Sequence, residues 1–191
     1  MMEQLRGESD RPVSSFDDLL DHYEKAVYNL VLRLLGDREE AADLTQETFV
    51  AAYRSFHAFR GESHVFTWLC QIAVNRCKNK FRERDRRRRF ELLPRDMKQD
   101  DSQSVIDERM LGVDETTPLV ELERKELQQK ITGAIDGLPE DYRVVVVLRD
   151  LQGLSYQEIS EVVGASLEAV KSRLHRGRAI LRQKLQPYLQ G

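Results

Sequence analysis

Apolar residues recur at helical spacing along most of this chain. From Phe16 to Leu35, Tyr23, Val27, Leu30, Val31 and Leu34 share one face, and Gly36 supplies a stop. Asp37 is placed to cap a second helix, with Glu40 three residues on and Leu44, Phe49, Ala52, Tyr53 and Phe56 as its apolar set. The stretch FRGESHVFTW breaks the rhythm, with Gly61 as a turn and Ser63 as a cap. A long third helix is predicted from about residue 64 to residue 84, its core side formed by Val65, Phe66, Leu69, Ile72 and Ala73. Cys70 and Cys77 fall on one side of it and read as small apolar residues against a neighbouring helix.

The C-terminal half repeats the pattern in shorter pieces. Leu119 to Ile135 reads as a helix. The following LPEDYRVVVVLRDLQGL holds four consecutive valines, which by propensity suit a strand. Pro139 suits a first helical turn, however, and Glu140 and Asp141 favour a helix N-terminus, so a helix is predicted to about Leu151, with Gly153 as its stop. Ser155 and Glu158 form a capping box before a short helix that Gly164 ends, and Ser166 caps another. Helix, three-residue turn, helix, with Ile159, Val162 and Val163 inward, is a helix-turn-helix pattern.

Composition adds one thing to this all-helical picture. The 191 residues carry a formal net charge of −3, but the charge lies in blocks. Arg76 to Arg89 has nine Lys or Arg against Glu83 and Asp85, whereas Glu91 to Glu121 has nine acids against three bases. Residues 170–185 hold six Lys or Arg and no acid. The acidic stretch has no sustained apolar period and reads as a flexible linker, either a solvated tether or a segment suited to a basic nucleic-acid channel. The expected organisation is therefore a tail at 1–15, a helical domain at 16–90, a linker at 91–118 and a second helical domain at 119–188. No apolar run approaches a membrane span and the N-terminus lacks an apolar signal core, so a cytoplasmic location is expected.

Three faces carry candidate chemistry. In the last helix, Leu167, Val170, Leu174 and Leu181 face inward, Ser172 and Arg176 lie nearly opposite, and Arg173 and His175 flank them. Lys171 and Arg178 sit at the apolar edge with stems that can snorkel outward. Such a face suits the major groove, where Arg addresses guanine edges and other cations hold phosphates. In the third helix Trp68, Gln71, Asn75, Asn79 and Arg82 form a stripe that suits unpaired bases; the same spacing fits a core tryptophan beside solvated amides. In the second helix Asp43, Gln46 and Glu47 offer either a solvated face or a dock for a basic partner helix. No catalytic set or metal cluster is spaced for chemistry, so neither enzyme activity nor a cofactor is expected. An autonomous helix-turn-helix regulator is the alternative, but it leaves the Trp68 stripe without a purpose.

The segments DREEAADLTQETFVAAYRSFHAFRG, FTWLCQIAVNRCKN and LPEDYRVVVVLRDLQGLSYQEISEVVGASLEAVKSRLHRGRAILRQKL together resemble a bacterial sigma factor of the extracytoplasmic-function type, sigma-70 family. The resemblance implies two small helical domains, sigma regions 2 and 4, that bind core RNA polymerase and direct promoter-specific initiation. It implies that Asp43, Gln46 and Glu47 dock on the β′ coiled coil. The −10 element would fall to Arg60, Gly61, Ser63, His64, Trp68, Gln71, Asn75, Lys78 and Asn79, with the 60–65 loop and Asn75 capturing a flipped base. The −35 element would fall to Lys171, Ser172, Arg173, His175, Arg176 and Arg178 on a domain that also meets the β flap. It further implies an anti-sigma factor as inhibitor, with any membrane anchorage left to that partner. The base-capturing loop here reads Glu62-Ser63-His64-Val65, and loops of this kind set base preference.

Overall fold

A computed structural model describes residues 15–59, 64–91 and 118–189. They form α1 (Phe16–Leu35), α2 (Arg38–Ser55), a 3-10 turn (Phe56–Ala58), α3 (Val65–Glu91), α4 (Pro118–Asp136), α5 (Glu140–Val146), a π-helical turn (Val147–Leu151), α6 (Tyr156–Val163) and α7 (Leu167–Leu189). The described residues are thus all-helical, as the sequence predicts.

The ends follow local chemistry. Ser15 Oγ accepts from Asp18 N at 3.1 Å and Asp37 Oδ1 from Glu40 N at 2.8 Å, so each starts a helix by satisfying an orphan amide. Gly36 closes α1 at φ 75°, a left-handed conformation that costs a residue with a Cβ. At α6 both halves of the capping box are present: Ser155 Oγ accepts from Glu158 N, and Glu158 Oε2 from Ser155 N.

Packing runs across the whole described molecule. α1 lies against α2 and α3, and α7 lies against α4, α5 and α6. The two halves also meet: α1 touches α4, α5 and the π turn, and α3 runs along α6. One continuous core results, from Leu19 and Leu30 through Leu69 and Val74 to Val145, Leu148 and Ile159. Cys70 and Cys77 are wholly buried in it, as expected of small apolar residues.

The valine run shows why propensity yields here. Val144, Val145, Val146, Val147 and Leu148 are all buried, because this segment is enclosed by α1 on one side and by α6 and α7 on the other. A helix apolar all round is stable when covered all round. The α-helix lasts only to Val146; the next turn widens, and Gln152 N reaches back to Val147 O at 3.0 Å. Pro139 is the residue before α5, not in its first turn, and its carbonyl accepts from Tyr142 N and Arg143 N.

A further boundary and one residue differ from the sequence reading. α3 continues to Glu91, past the expected end at residue 84. Tyr53, placed in the apolar set of α2, is 64% exposed. Its ring meets Phe16 edge-on at 5.1 Å, but Phe16 is the first residue of α1, so no further turn covers it. The expected tail and linker lie, but for Ser15, Glu91 and Pro118, outside the described residues.

Candidate nucleic-acid interfaces

The turn between α6 and α7 begins at Gly164 (φ 66°), and Ser166 Oγ accepts from Ala169 N at 3.2 Å to start α7. Val170 and Leu174 are buried, which turns Lys171, Ser172, His175 and Arg176 to solvent. Lys171 and Arg176 have no carboxylate within ion-pair distance among the described residues. The other two cations are held. Arg173 pairs with Asp141 at 3.0 Å. Arg178 grips both carboxylate oxygens of Asp150, its Nε 3.0 Å from Oδ2, and this hydrogen bonding holds the guanidinium pKa above its ordinary value. Both acids come from the α5 segment, far away in sequence. Beside them Arg149 stacks over the Tyr156 ring at 4.9 Å and donates to Leu154 O, a cation at the start of α6 that helical periodicity did not single out.

The stripe on α3 divides in two. Asn75 and Asn79 are exposed, Arg82 approaches Asn79, and His64 is exposed just before the helix. Trp68 is half-buried, tilted on Phe59 with ring centroids 4.8 Å apart, so it serves the core and still presents an edge. The other flank meets α6. Thr67 Oγ1 donates to Glu158 Oε1 at 3.1 Å, Gln71 Nε2 approaches Glu161 O at 3.4 Å, and Lys78 Nζ donates to Val163 O at 3.0 Å. Burial lowers the Lys78 pKa, opposed by nearby Asp141 and reinforced by Arg173 and Arg82. Arg60, Gly61 and Ser63 lie outside the described residues.

On α2, Asp43, Gln46 and Glu47 are exposed, and Glu47 pairs with Arg76 at 2.7 Å. They form a ridge between two open grooves. One, of about 420 Å³, is lined by charge from α2 and α3, including Glu40, Asp43, Arg76 and Lys80. The other, of about 400 Å³, is apolar and lined by Phe16, Leu20, Phe49, Val50 and Tyr53. Val50 is 51% exposed. An acidic ridge beside an apolar trough suits an amphipathic basic helix. The sequence reading named Asp43, Gln46 and Glu47 but not the trough, because Tyr53 read as an ordinary apolar position of α2.

Among the described residues no group of three His, Cys, Asp or Glu is placed to hold a metal, and no helix is long and apolar enough to cross a membrane.

An all-helical protein that carries both a helix-turn-helix and an aromatic-amide helix has surfaces of the kind that suit nucleic acid. Comparison with known proteins narrows the class. The sigma-70 region 2 model matches residues 19–87, and the sigma-70 region 4 model matches residues 128–181. The ECF RNA polymerase sigma-E factor of Haemophilus influenzae is 36% identical over 176 residues, covering 92% of this chain and 89% of that protein. The RNA polymerase sigma-H factor of Pseudomonas aeruginosa is 35% identical over 175 residues, covering 92% and 88%. In fold, the chain is similar to the sigma factor RpoE in complex with the anti-sigma factor NepR from Bartonella quintana, with TM-score 0.71, 22% identity and 91% and 98% of the two chains covered. It is also similar to CnrH in complex with the cytosolic domain of CnrY, with TM-score 0.61, 21% identity and 97% of each chain covered. This chain belongs to the extracytoplasmic-function sigma factors of the sigma-70 family. It is an initiation factor of transcription, not an enzyme.

Proposed function

We propose that the chain brings core RNA polymerase to promoters by dividing recognition between residues 16–90 and 119–188. The acidic ridge of Asp43, Gln46 and Glu47 docks on the β′ coiled coil, with Val50 and Tyr53 filling apolar contacts beside it. The 60–65 loop with Trp68, Gln71, Asn75, Lys78 and Asn79 takes an extruded base and the parted strand of the −10 element. Stacking and base-edge hydrogen bonds there offset the cost of unstacking. α7 enters the major groove of the −35 element through Ser172, His175 and Arg176, with Lys171 on phosphate; Arg173 and Arg178 add contacts only if they leave Asp141 and Asp150. The β flap meets the same C-terminal domain. The protein works in the cytoplasm and is restrained by a cognate anti-sigma factor that covers its polymerase-binding faces.

The observation that carries this reading is the exposed face of α7 formed by Lys171, Ser172, His175 and Arg176, its Lys171 and Arg176 without an ion-pair partner among the described residues, with Val170 and Leu174 buried behind it. A helix serving only to fold would more often mix charge signs there. The test is run-off transcription on genomic fragments of the source organism with core polymerase alone and with this protein added. Start sites that appear only with the protein, sharing sequence near −10 and −35, are the expected result. No initiation above core enzyme alone would overturn the proposal.

A further inference from the structure

Two of the cations that α7 could offer to DNA are neutralised from within its own domain, one on each side of the helix. At 100° per residue, Arg173 and Arg178 stand on opposite edges of α7, and Lys171, Ser172, His175 and Arg176 lie on the outer arc between them. α5 crosses α7 at Gly177, so closely that a Cβ there would stand 2.9 Å from Val146 Cγ2. The two ends of the α5 segment therefore emerge on either side of α7. Asp141, in the first turn of α5, pairs with Arg173 at 3.0 Å. Asp150, in the π turn, takes Arg178 through both carboxylate oxygens.

The spacing of these two pairs matches what a groove-bound helix meets. Asp141 and Asp150 are nine residues apart, roughly 13 Å at about 1.5 Å per residue, and the major groove is about 12 Å wide. The walls of that groove are phosphates, so cations on the edges of an inserted helix serve phosphate first. Phosphate contacts supply affinity for any sequence, whereas base contacts supply the choice of sequence. A bidentate carboxylate fixes a guanidinium in direction as well as in charge, so Arg178 cannot turn to a phosphate without breaking two bonds. Lys171 and Arg176, with no ion-pair partner among the described residues, stay available.

Resting on the reading that α7 enters a −35 duplex, we infer that Asp141 and Asp150 are specificity-determining residues. They withhold Arg173 and Arg178 from the phosphates at both groove walls and so suppress binding to DNA of unrelated sequence. Both pairs lie inside the segment 119–188, so they act in the holoenzyme as in the free chain.

The test uses holoenzyme assembled from core polymerase and the full chain, with a mixed-sequence duplex as probe. It reads the slope of log affinity against log salt. Asp141→Asn with Asp150→Asn should steepen that slope by about two, at about 0.9 per phosphate gained. The advantage of this double variant over wild type should shrink about twelvefold between about 50 and 200 mM salt. Adding Arg173→Gln and Arg178→Gln should return the slope to that of wild type, because the gain runs through those two arginines. In run-off transcription with excess mixed-sequence competitor, the double variant should make fewer transcripts than wild type.

An unchanged slope in the double variant overturns the inference. So does a flatter one, which would make the acids supports for the arginines. A slope that stays steep once both arginines are gone overturns it too, since the acids would then repel DNA directly. The Asp141 side chain is 62% exposed, and pairs this open contribute little to stability. If the double variant nevertheless fails to fold, each single carboxamide substitution should steepen the slope by about one. Wild-type holoenzyme that makes no transcript overturns the sigma reading separately, because the slopes report on α7 and DNA whatever the transcripts show.

Discussion

The guanidinium of Arg143, on α5, donates to the carbonyl oxygen of Leu34, 2.8 Å away near the end of α1 in the other half of the molecule. The same group donates to the carbonyls of Asp136 and Leu138 and stacks over the Phe81 ring with 5.9 Å to the centroid. Burial lowers its pKa, and the nearby Asp136 and Glu140 carboxylates oppose that shift. One side chain thus satisfies the C-terminal carbonyls of two helices and joins the halves.

Arg143→Met keeps the apolar stem and removes every donor. Partly buried carbonyls without partners should cost about 2–4 kcal/mol. Thermal unfolding followed by circular dichroism should shift down by roughly 5–15 °C. A shift of a degree or less would mean that water replaces the guanidinium at no cost.

Gly177 lies inside α7, where alanine is ordinarily the better helix former by about 1 kcal/mol. Here a Cβ would stand 2.9 Å from Val146 Cγ2 and 3.3 Å from Tyr142 Cβ. Gly177→Ala should therefore destabilise by about 1–3 kcal/mol in urea unfolding, because α5 cannot retreat from a filled core. A gain in stability would show that α5 and α7 have slack.

Burial pushes the Cys77 thiol up to about 12 from an ordinary 9.0, and raises Cys70 as well. At pH 8 roughly one Cys77 in ten thousand is thiolate, so neither cysteine should react with a thiol reagent until the protein unfolds. Above pH 9 the unfolded thiols lose protons that the folded ones keep, so stability falls as pH rises toward 12, by about 1.4 kcal/mol per pH unit for each thiol. Replacing both cysteines with Ala should flatten this alkaline limb. An unchanged limb would exclude the thiols as its cause.

Arg176→Ala should weaken −35 duplex binding by the holoenzyme. A loss of about 1–3 kcal/mol confined to some sequences marks a base contact, whereas a uniform loss with a salt slope smaller by about one marks a phosphate. Undiminished binding at every salt concentration would take Arg176 off the DNA.

Asn75→Ala should leave −35 binding intact and reduce strand opening. Permanganate reactivity of thymines near −10, measured in holoenzyme complexes, is expected to fall. Identical footprints would remove Asn75 from the melting site.

Much of this molecule was legible before any coordinates. The caps at Asp37, Ser155 and Ser166 and the stops at Gly36 and Gly164 depend on residues three or four apart, which hydrogen bond to their own backbone neighbours. The buried stripe of α7 is equally local, and it placed Lys171, Ser172, His175 and Arg176 outward as predicted. Tyr53 escaped because exposure at a helix end depends on where the partner helix begins. Arg178 looked free for DNA because its counterion, Asp150, lies on another element.

Helix identity, the capped helix ends and the direction of most apolar faces were determined by the sequence alone, since a periodic side-chain pattern and a few caps act over one or two turns. Only the tertiary structure decided which charges are spent internally, why four valines accept a helix, and that α6 lies on the stripe of α3. Those outcomes rest on residues tens of positions apart meeting in one continuous core, and no local pattern specifies such meetings.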